Sequence, residues 1–408
     1  MYLESLDKTQ CMGCEACVQA CAKRAISMRE DKEGFRYPEV DEQKCVHCGK
    51  CKQVCPYANV NPFCGEKYVF GGYNKDEEVR FRSTSGGAFS AIVEAFCDKN
   101  YVVFGAEAQG LRVFHSFAED KKDFTKFCKS KYSQSEMGTA YVDARSFLNA
   151  GKKVLFSGTP CQVAGLKNFL GKIPQENLLL VEVVCEGVPS PLYVRKQAEY
   201  LRKKFHSDIR SFDYRYTGRG LFSKGMWDFE KERVILENGK ELVRNRWGNP
   251  YWSIWLQHLM SRPSCYHCQF TTVNRVADIT LGDLWGVHIY CQDLYGDNLG
   301  ASLVIANTEK GRDCVEHAKQ YMFGRELKFS DAIKFQGPLR KHIDLNPNRN
   351  AFMADLQGDM DYDMINRKWA TKPSIKLLWQ KYVWGNRQKV FFWNIAKKIL
   401  GRMNDVLH

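Results

Sequence analysis

Two cysteine-rich runs near the start of the chain limit its possible folds more than any other feature. The runs are CMGCEACVQAC and CVHCGKCKQVCP, and each cysteine of the second lies 34 residues after its counterpart in the first, so residues 1–60 contain an internal duplication. The cysteines are Cys11, Cys14, Cys17 and Cys21 in the first run and Cys45, Cys48, Cys51 and Cys55 in the second. Closely spaced cysteines in a reducing compartment bind metal or carry out redox chemistry more often than they form disulfides.

The spacing within each run predicts iron-sulfur ligation. Three cysteines spaced by three residues can ligate three corners of one 4Fe-4S cube, whereas the fourth lies on the helix that leaves the loop and ligates the other cube. This crossing rule of two-cluster bacterial ferredoxins predicts one cluster on Cys11, Cys14, Cys17 and Cys55 and another on Cys45, Cys48, Cys51 and Cys21. Zinc is the alternative, but it usually takes two separated C-x-x-C pairs. Residues 1–60 resemble a bacterial-type two-cluster ferredoxin domain, which implies an α+β ferredoxin-like fold.

The composition is that of a globular protein with two or three domains. The 408 residues are 44% hydrophobic, and no apolar run approaches the roughly 18 residues that span a bilayer. The first residues lack the features of a secretory signal, so a cytoplasmic location is expected. The formal charge of +13 is concentrated between Lys372 and Arg402, which hold eight basic residues and no acidic one. No motif of a nucleic-acid-binding protein accompanies this charge, so nucleic acid is excluded as an expected partner.

The remainder of the chain divides into three predicted parts. A Pro-, Asn- and Gly-rich stretch at 56–67 is predicted to be a linker between two cores. Apolar runs then alternate with amphipathic segments over 67–206, which predicts an α/β layer with a partly parallel sheet. Residues 207–340 are irregular and rich in aromatic residues, which indicates an α+β part, and residues 341–408 are predicted to be a linker and a basic amphipathic helical tail.

Four further cysteines occupy positions that indicate a third site. Cys161 follows the apolar run VLFSGTP and Cys185 follows LLLVEVV, so both are expected at the carboxyl ends of strands, the edge where open α/β sheets bind ligands. A C-x-x-C loop supplies two more thiols. The leading interpretation is a third 4Fe-4S cluster on Cys161, Cys185, Cys265 and Cys268, while zinc and a nucleophilic or inert Cys161 stay open. Buried filler is the expectation for Cys64, Cys97, Cys128, Cys291 and Cys314.

With these motifs assembled, the sequence from about Lys67 to Leu339 resembles the coenzyme F420 hydrogenase/dehydrogenase beta-subunit family. The segments that carry the resemblance are STSGGAFSAIVEAF, KSKYSQSEMG, VLFSGTPCQVAGLKNFL, VEVVCEGVPSP, CYHCQF and ADITLGDLWG. The resemblance implies a mixed α/β to α+β body that holds FAD beside a 4Fe-4S cluster and moves electrons among clusters, flavin and a deazaflavin or another organic substrate. Because the family includes reductases of several substrates, it does not fix the substrate of this chain.

The FAD that the resemblance implies has candidate ligands in four of these segments. A Ser-Gly-Gly turn opens a predicted helix and can bring backbone N–H groups to a diphosphate. A lysine, a glutamine and a serine in the second segment offer a cation and hydrogen bonds, or form a solvated turn. The predicted residues are Ser85, Gly86 and Gly87, Lys131, Gln134 and Ser135, Gly158 and Thr159 beside Cys161, and Asp283, which either binds a ribityl or ribose hydroxyl or caps a turn.

Three classes of function follow from these features. The leading hypothesis is an oxidoreductase that takes electrons from ferredoxin or another redox protein, relays them through the clusters to FAD and acts on an organic substrate. The second is an electron-transfer subunit of a hydrogenase or dehydrogenase complex without its own substrate. The third is a zinc-stapled scaffold. The basic tail has two interpretations, a helix folded onto protein or peripheral contact with an anionic membrane at its inner face.

Overall fold

A computed structural model describes residues 1–217, 231–245, 251–294, 299–379, 391–392 and 395–396. The strands in these ranges are β1 (Ile26–Glu30), β2 (Arg36–Val40), β3 (Tyr68–Asn74), β4 (Tyr101–Gln109), β5 (Arg112–Ala118), β6 (Lys153–Gly158), β7 (Leu178–Val183), β8 (Ile209–Asp213), β9 (Glu232–Leu236), β10 (Glu241–Arg244), β11 (Ile279–Asp283), β12 (Ser302–Ala306) and β13 (Met322–Glu326).

The α-helices alternate with these strands along most of the chain. They are α1 (Tyr2–Ser5), α2 (Ala16–Ala20), α3 (Lys50–Gln53), α4 (Glu77–Arg82), α5 (Ala88–Phe96), α6 (Ala140–Asn149), α7 (Pro160–Leu170), α8 (Pro191–Phe205), α9 (Tyr251–Trp255), α10 (Val287–Tyr290), α11 (Glu309–Ala318), α12 (Phe329–Ile333), α13 (Arg349–Gln357), α14 (Tyr362–Trp369) and α15 (Ile375–Leu378).

A mixed eight-stranded sheet forms the centre of the body. Its strand order is β13-β3-β12-β11-β7-β6-β4-β5, and β4, β6, β7 and β11 run parallel to one another. Alternate side chains of one strand enter different cores: Val154 and Phe156 pack with α6 and α7, whereas Leu155 packs with α5 and α11. Because both faces are covered by helices, the strands read as continuous apolar runs. The predicted α/β layer with a partly parallel sheet is confirmed.

The ferredoxin-like segment shares a hydrophobic core with this body. It contains the antiparallel pair β1 and β2, and its second helix, α2, packs against α7. Ala16 and Val54 are fully buried in the same core as Leu166 of α7. The stretch 56–67 was predicted to separate two cores, but the apolar residues of α2 and Val54 after α3 are too few to form a core alone and complete that of the sheet instead.

The sheet also crosses the predicted boundary between residues 206 and 207. Strand β11 pairs with β7, and β12 pairs with β3, so residues on both sides of the boundary form one sheet. A second, three-stranded sheet of order β10-β9-β8 packs with α8, α9, α13 and α14 around a core that contains Trp252, Phe352 and Ile365. Residues 341–371 are therefore part of the body and not a linker, because their two helices bury apolar side chains there.

The described part of the tail presents apolar side chains on the surface. Ile375 is 87% exposed, Trp379 56% and Phe391 60%. Tyr382, Val383, Gly385, Asn386, Ile399 and Leu400, on which the prediction of two amphipathic helices also depends, lie outside the described residues. No helix in the described ranges is long and apolar enough to cross a membrane.

Candidate functional site

The first predicted ligand set lies together in the ferredoxin-like segment. Cys11, Cys14, Cys17 and Cys55 line one cavity of about 30 Å³, together with the backbone of the loop at Met12 and Gly13. Left-handed backbone at Gly13 (φ 69°) and Glu15 (φ 60°) curls this loop so that its cysteines face inward. Three of these cysteines come from the first run and Cys55 comes from the second. The structure therefore has the crossed arrangement that the spacing predicts, and ligation of a cluster by it stays a prediction.

The second set is nearer to the surface. Burial raises the pKa of the Cys51 thiol, and the neighbouring thiols of Cys48 and Cys45 raise it further. Cys48 is exposed, and Cys21 ends α2, where its Sγ accepts a hydrogen bond from the backbone N–H of Ala25 at 3.3 Å. Of the two predicted N-terminal cluster sites, this one is thus more accessible to an external redox protein.

The third set converges from three parts of the chain. Cys161 lies in the first turn of α7, Cys185 lies two residues after β7, and the C-x-x-C loop begins in the 3-10 helix Pro263–His267. Cys161, Cys185, Cys265 and Cys268 line one cavity of about 40 Å³. The helix α7 starts where the sequence indicates, because Thr159 and Gln162 form a capping box and Pro160 occupies its first turn. The structure brings these four thiols together.

The spacing of the thiols argues against a single zinc ion in each set. Zinc binds thiolates at about 2.3 Å, so the sulfur atoms of a tetrahedral site lie about 4 Å apart. In the part of the chain that the structure describes, Glu42, Cys45 and His47 form the only group of three or more His, Cys, Asp or Glu ligand atoms within 4.8 Å of one another. No three thiols of one set lie within that distance in the described residues, which favours a larger inorganic core over a single zinc ion, and ligation stays a prediction.

A nucleophilic role for Cys161 is not supported by its surroundings. Burial raises the pKa of the Cys161 thiol to about 11, and the Thr159 hydroxyl lies within hydrogen-bond distance of its Sγ at 3.2 Å. A free reactive thiol needs a lowered pKa or an adjacent base. With a pKa of about 11, the thiol is protonated at pH 7 and a weak nucleophile.

A large cavity of about 320 Å³ adjoins the third set at the carboxyl edge of β6, β7 and β11. Cys185, Glu186 and Gly187 line both this cavity and the cavity of the third set. The predicted flavin residues in its wall are Ser85, Gly87, Lys131, Gln134, Ser135, Gly158, Thr159 and Asp283. Gly86 is absent from the wall because it packs against the sheet, where an added Cβ would lie 2.5 Å from Gly72 O and 2.6 Å from Ser302 N.

Several side chains of the cavity wall already have hydrogen-bond partners within the protein. The Gln134 amide donates to Met12 O at 2.8 Å and to Gly13 O at 3.1 Å, so it fixes the loop of the first thiol set. The Ser135 hydroxyl lies 2.8 Å from both His115 Nδ1 and Gln162 Nε2. Burial lowers the pKa of His115 to about 4, so this imidazole is neutral at pH 7. These polar groups form the floor of the cavity and are already hydrogen-bonded.

Asp283 has a different partner from the one that the sequence indicated. Its carboxylate pairs with the buried guanidinium of Arg215 at 2.9 Å inside the cavity wall. Two roles were predicted for Asp283, a hydroxyl ligand or a turn cap, and neither includes this ion pair. Sequence reasoning missed Arg215 because 68 residues separate it from its partner.

A second buried ion pair holds the C-x-x-C loop. Arg275 Nε donates to Glu182 Oε1 of β7 at 2.5 Å, and both side chains are at most 2% exposed. The same guanidinium donates to Phe270 O at 2.6 Å and to Thr272 O at 3.0 Å. The loop that follows Cys268 is thus fixed to the central sheet.

Comparisons with known proteins agree with this architecture. Residues 151–325 match the family model for the C terminus of the coenzyme F420 hydrogenase/dehydrogenase beta subunit, and residues 10–59 match that of a 4Fe-4S dicluster domain. The first match extends across the predicted boundary at 206/207, as the central sheet does. The resemblance of the sequence to this family, with a ferredoxin-type segment before it, is confirmed.

Individual relatives are more distant. The chain is 23% identical over 338 residues to the coenzyme F420-dependent sulfite reductase of Methanocaldococcus jannaschii. The aligned region covers 81% of this chain and 49% of that protein. The chain thus spans about half the length of that relative. Its first part is 25% identical over 69 residues to ferredoxin-3 of Nostoc sp., covering 14% of this chain and 71% of that protein. A chain of the F420-reducing NiFe hydrogenase complex from Methanosarcina barkeri aligns with a TM-score of 0.43 and 15% identity, covering 76% of this chain and 91% of that one.

Proposed function

We propose that the chain is an iron-sulfur flavoprotein oxidoreductase that relays electrons from two ferredoxin-type clusters through a third 4Fe-4S cluster to FAD and an organic substrate. The observation that carries the proposal is the position of Cys185, which lines both the cavity of the third thiol set and the large cavity beside it. When bound, the clusters exchange single electrons and the flavin exchanges one or two.

The contacts between thiol sets support one continuous route. Burial raises the pKa of Cys17, and the thiols of its own set and of Cys51 in the second set add to this shift. Burial likewise raises the pKa of Cys14, with contributions from Cys17 and from Cys161 of the third set. An added Cβ on Gly165 of α7 would lie 3.3 Å from Cys14 Sγ. We infer that the second set with its exposed Cys48, the first set with its buried Cys14 and the third set lie in sequence toward the large cavity.

The wall of the large cavity fits a dinucleotide with a diphosphate. Lys131 brings an ammonium to it, whereas Lys129 pairs with Asp213 at 3.0 Å and Arg215 pairs with Asp283. Gly87 caps α5 with its backbone in the left-handed region (φ 78°). Lysines and helix N-termini favour phosphate oxygens. Gly87 and Lys131 lie at the start of α5 and on the 128–135 loop and suit phosphates, whereas Gly158 and Thr159 lie near Cys161 and suit a redox-active ring.

The substrate class to test first is a deazaflavin. The name of the Methanocaldococcus relative specifies coenzyme F420, and the family model carries the same coenzyme in its description. Because the chain spans about half of that relative, the runner-up is an electron-transfer subunit whose substrate binds elsewhere. A soluble redox protein such as ferredoxin is the proposed partner at the exposed second set.

Metal and flavin analysis of anaerobically purified protein tests the proposal. About twelve iron atoms and one flavin per chain are expected, since three 4Fe-4S clusters are proposed. In Cys185→Ser, about four iron atoms should be lost, whereas the matched control Cys291→Ser, which replaces a buried cysteine outside all three sets, should retain them. Zinc in place of iron, or unchanged iron in Cys185→Ser, would refute the assignment. Flavin reduction by reduced coenzyme F420 would separate the enzyme from the subunit without a substrate.

We also propose that the tail contacts an anionic membrane surface. The exposed side chains of Ile375 and Trp379 stand beside lysines, and this combination suits an interfacial helix. Co-sedimentation with anionic vesicles at low salt should fall when the chain ends at Thr371. Equal recovery of both chains in the supernatant would rule this role out.

A further inference from the structure

The guanidinium of Arg262 lies buried between the first and third thiol sets. The residue is 0% exposed. Its Nε donates to Cys11 O at 2.8 Å, Nη1 donates to Gln134 Oε1 at 2.9 Å, and Nη2 donates to Arg36 O at 2.8 Å. Nη2 also lies 3.6 Å from Cys11 Sγ, a predicted ligand of the first cluster. The carbonyl of Arg262 accepts from the N–H of Cys265, so the same residue opens the turn that carries the third set.

These partners give each nitrogen of the Arg262 guanidinium at least one hydrogen-bond acceptor but leave its charge uncompensated. Each oxygen acceptor is a carbonyl or amide, and the rings of Tyr37 and Phe35 flank the group at 4.3 and 5.4 Å from their centroids. No ion pair within 4.0 Å joins it to a carboxylate of the described ranges. Neighbouring cations differ in this respect: Arg36 pairs with Glu15 at 3.4 Å, and Lys8 pairs with Asp31 at 2.6 Å.

A buried charge without a counter-charge is strongly destabilising. The nitrogen Nη2 faces Cys11 Sγ, and this thiol is the only one of its hydrogen-bond partners that can become negatively charged. A 4Fe-4S core on four thiolates carries net negative charge, which increases by one when the cluster is reduced. The interior cation thus has a suitable partner once the first thiol set is loaded.

On the basis of the proposed function, we propose that Arg262 is the counter-charge of the first cluster and raises its reduction potential by stabilising the reduced state. It is a positioning residue that acts through the Cys11 sulfur. Charge and hydrogen bonds at the sulfur ligands are among the determinants of cluster potentials. Because Nη2 is directed at Cys11 and not at the second run, one N-terminal potential should move while the other stays.

An anaerobic redox titration followed by electron paramagnetic resonance tests this role. The variants are Arg262→Gln, which keeps donors but loses the charge, and Arg262→Lys, which keeps the charge but loses the planar fork. The control is Lys52→Gln, which removes an equal charge from an exposed side chain of the same segment that pairs with Glu4. Each protein is first assayed for iron, so that a lost cluster is not mistaken for a shifted one.

We expect Arg262→Gln to lower the reduction potential of one N-terminal cluster by at least about 59 mV. For a one-electron couple, this shift is a tenfold change in the reduction equilibrium. In Arg262→Lys and Lys52→Gln, the reduction equilibria of all clusters should stay within about threefold of wild type. The first variant keeps the buried charge, and the second removes a charge that solvent screens. Full iron content with all potentials of Arg262→Gln within threefold would overturn the inference. If Arg262→Gln loses iron, Arg262→Lys decides: a tenfold shift there would show that the fork and not the charge matters, and would also overturn it. Wild-type protein without iron would instead refute the proposed function.

Discussion

The buried Lys131 should make flavin binding depend on pH. Burial lowers the pKa of its ammonium from 10.5 to about 8, and two of its N–H groups donate to Lys126 O at 3.1 Å and Cys128 O at 2.7 Å. An ammonium has three donors, so one remains for a ligand in the cavity that this residue lines. If a diphosphate binds there, it favours the charged lysine and returns the pKa of the bound state toward its ordinary value.

The sign and size of the effect follow from proton linkage. Below pH 8 the lysine of the free protein is charged and binding takes up no proton. Above pH 8 it is neutral and must be protonated on binding, so affinity falls as pH rises. With a bound-state pKa near 10.4, the Kd rises about tenfold between pH 7 and pH 9, or about 1.4 kcal/mol.

Titration of flavin-depleted protein with FAD, followed by the quenching of flavin fluorescence, measures this dependence at constant ionic strength. The matched control is Lys131→Arg, whose guanidinium stays protonated throughout and should give a flat profile. The reasoning is wrong if the wild-type Kd changes less than twofold between pH 7 and pH 9, or if Lys131→Arg shows the same slope, since the titrating group would then belong to the flavin or to another residue.

Three further predictions concern the metal sites and the core. Cys161→Ser should lose about four of twelve iron atoms and leave the N-terminal pair intact; unchanged iron with abolished turnover would identify a nucleophile instead. Glu182→Gln leaves the charge of the Arg275 guanidinium uncompensated in the protein interior and should lower the free energy of unfolding by about 3–5 kcal/mol. The double variant Glu182→Met with Arg275→Met should recover most of that loss. An unfolding temperature of Glu182→Gln within about 2 °C of wild type would contradict this. Removal of residues 1–60 uncovers the core that Ala16 and Val54 complete, so the truncated chain should aggregate; a monodisperse, soluble body in size-exclusion chromatography would show that it does not need them.

Local spacing predicted more of this molecule than long-range pairing did. The start of α7 depends on residues a few positions apart and on helix-capping chemistry, and the crossed first set follows from the short spacings within two duplicated runs. The convergence of Cys161 and Cys185 follows from the rule that parallel strands end at one edge. The strands β6 and β7, which precede these cysteines, carry apolar side chains on both faces, so their burial could also be predicted from the sequence.

What sequence could not provide is the identity of remote partners. The apolar character of Ala16 and Val54 indicates burial but not what covers them, and the covering surface includes α7. Gln134 and Asp283 are polar residues in family segments, yet their partners, the Met12 carbonyl and Arg215, are 122 and 68 residues away. The role of Arg262 could not be predicted from the sequence either, because its partners Cys11 and Gln134 are 251 and 128 residues away.

The core shared by the ferredoxin-like segment and the sheet links metal supply to the biogenesis of the whole chain. Cys14 is 8% exposed and packs in the same cluster as Val163 and Leu166, and the Tyr141 hydroxyl bonds its carbonyl at 2.9 Å. On the proposed function, the first cluster would bind among the thiols of this same segment. Iron starvation should then lower the amount of folded protein and not only its activity, because the segment that would hold the cluster also completes the central core, and a chain with an incomplete core becomes a substrate for proteases.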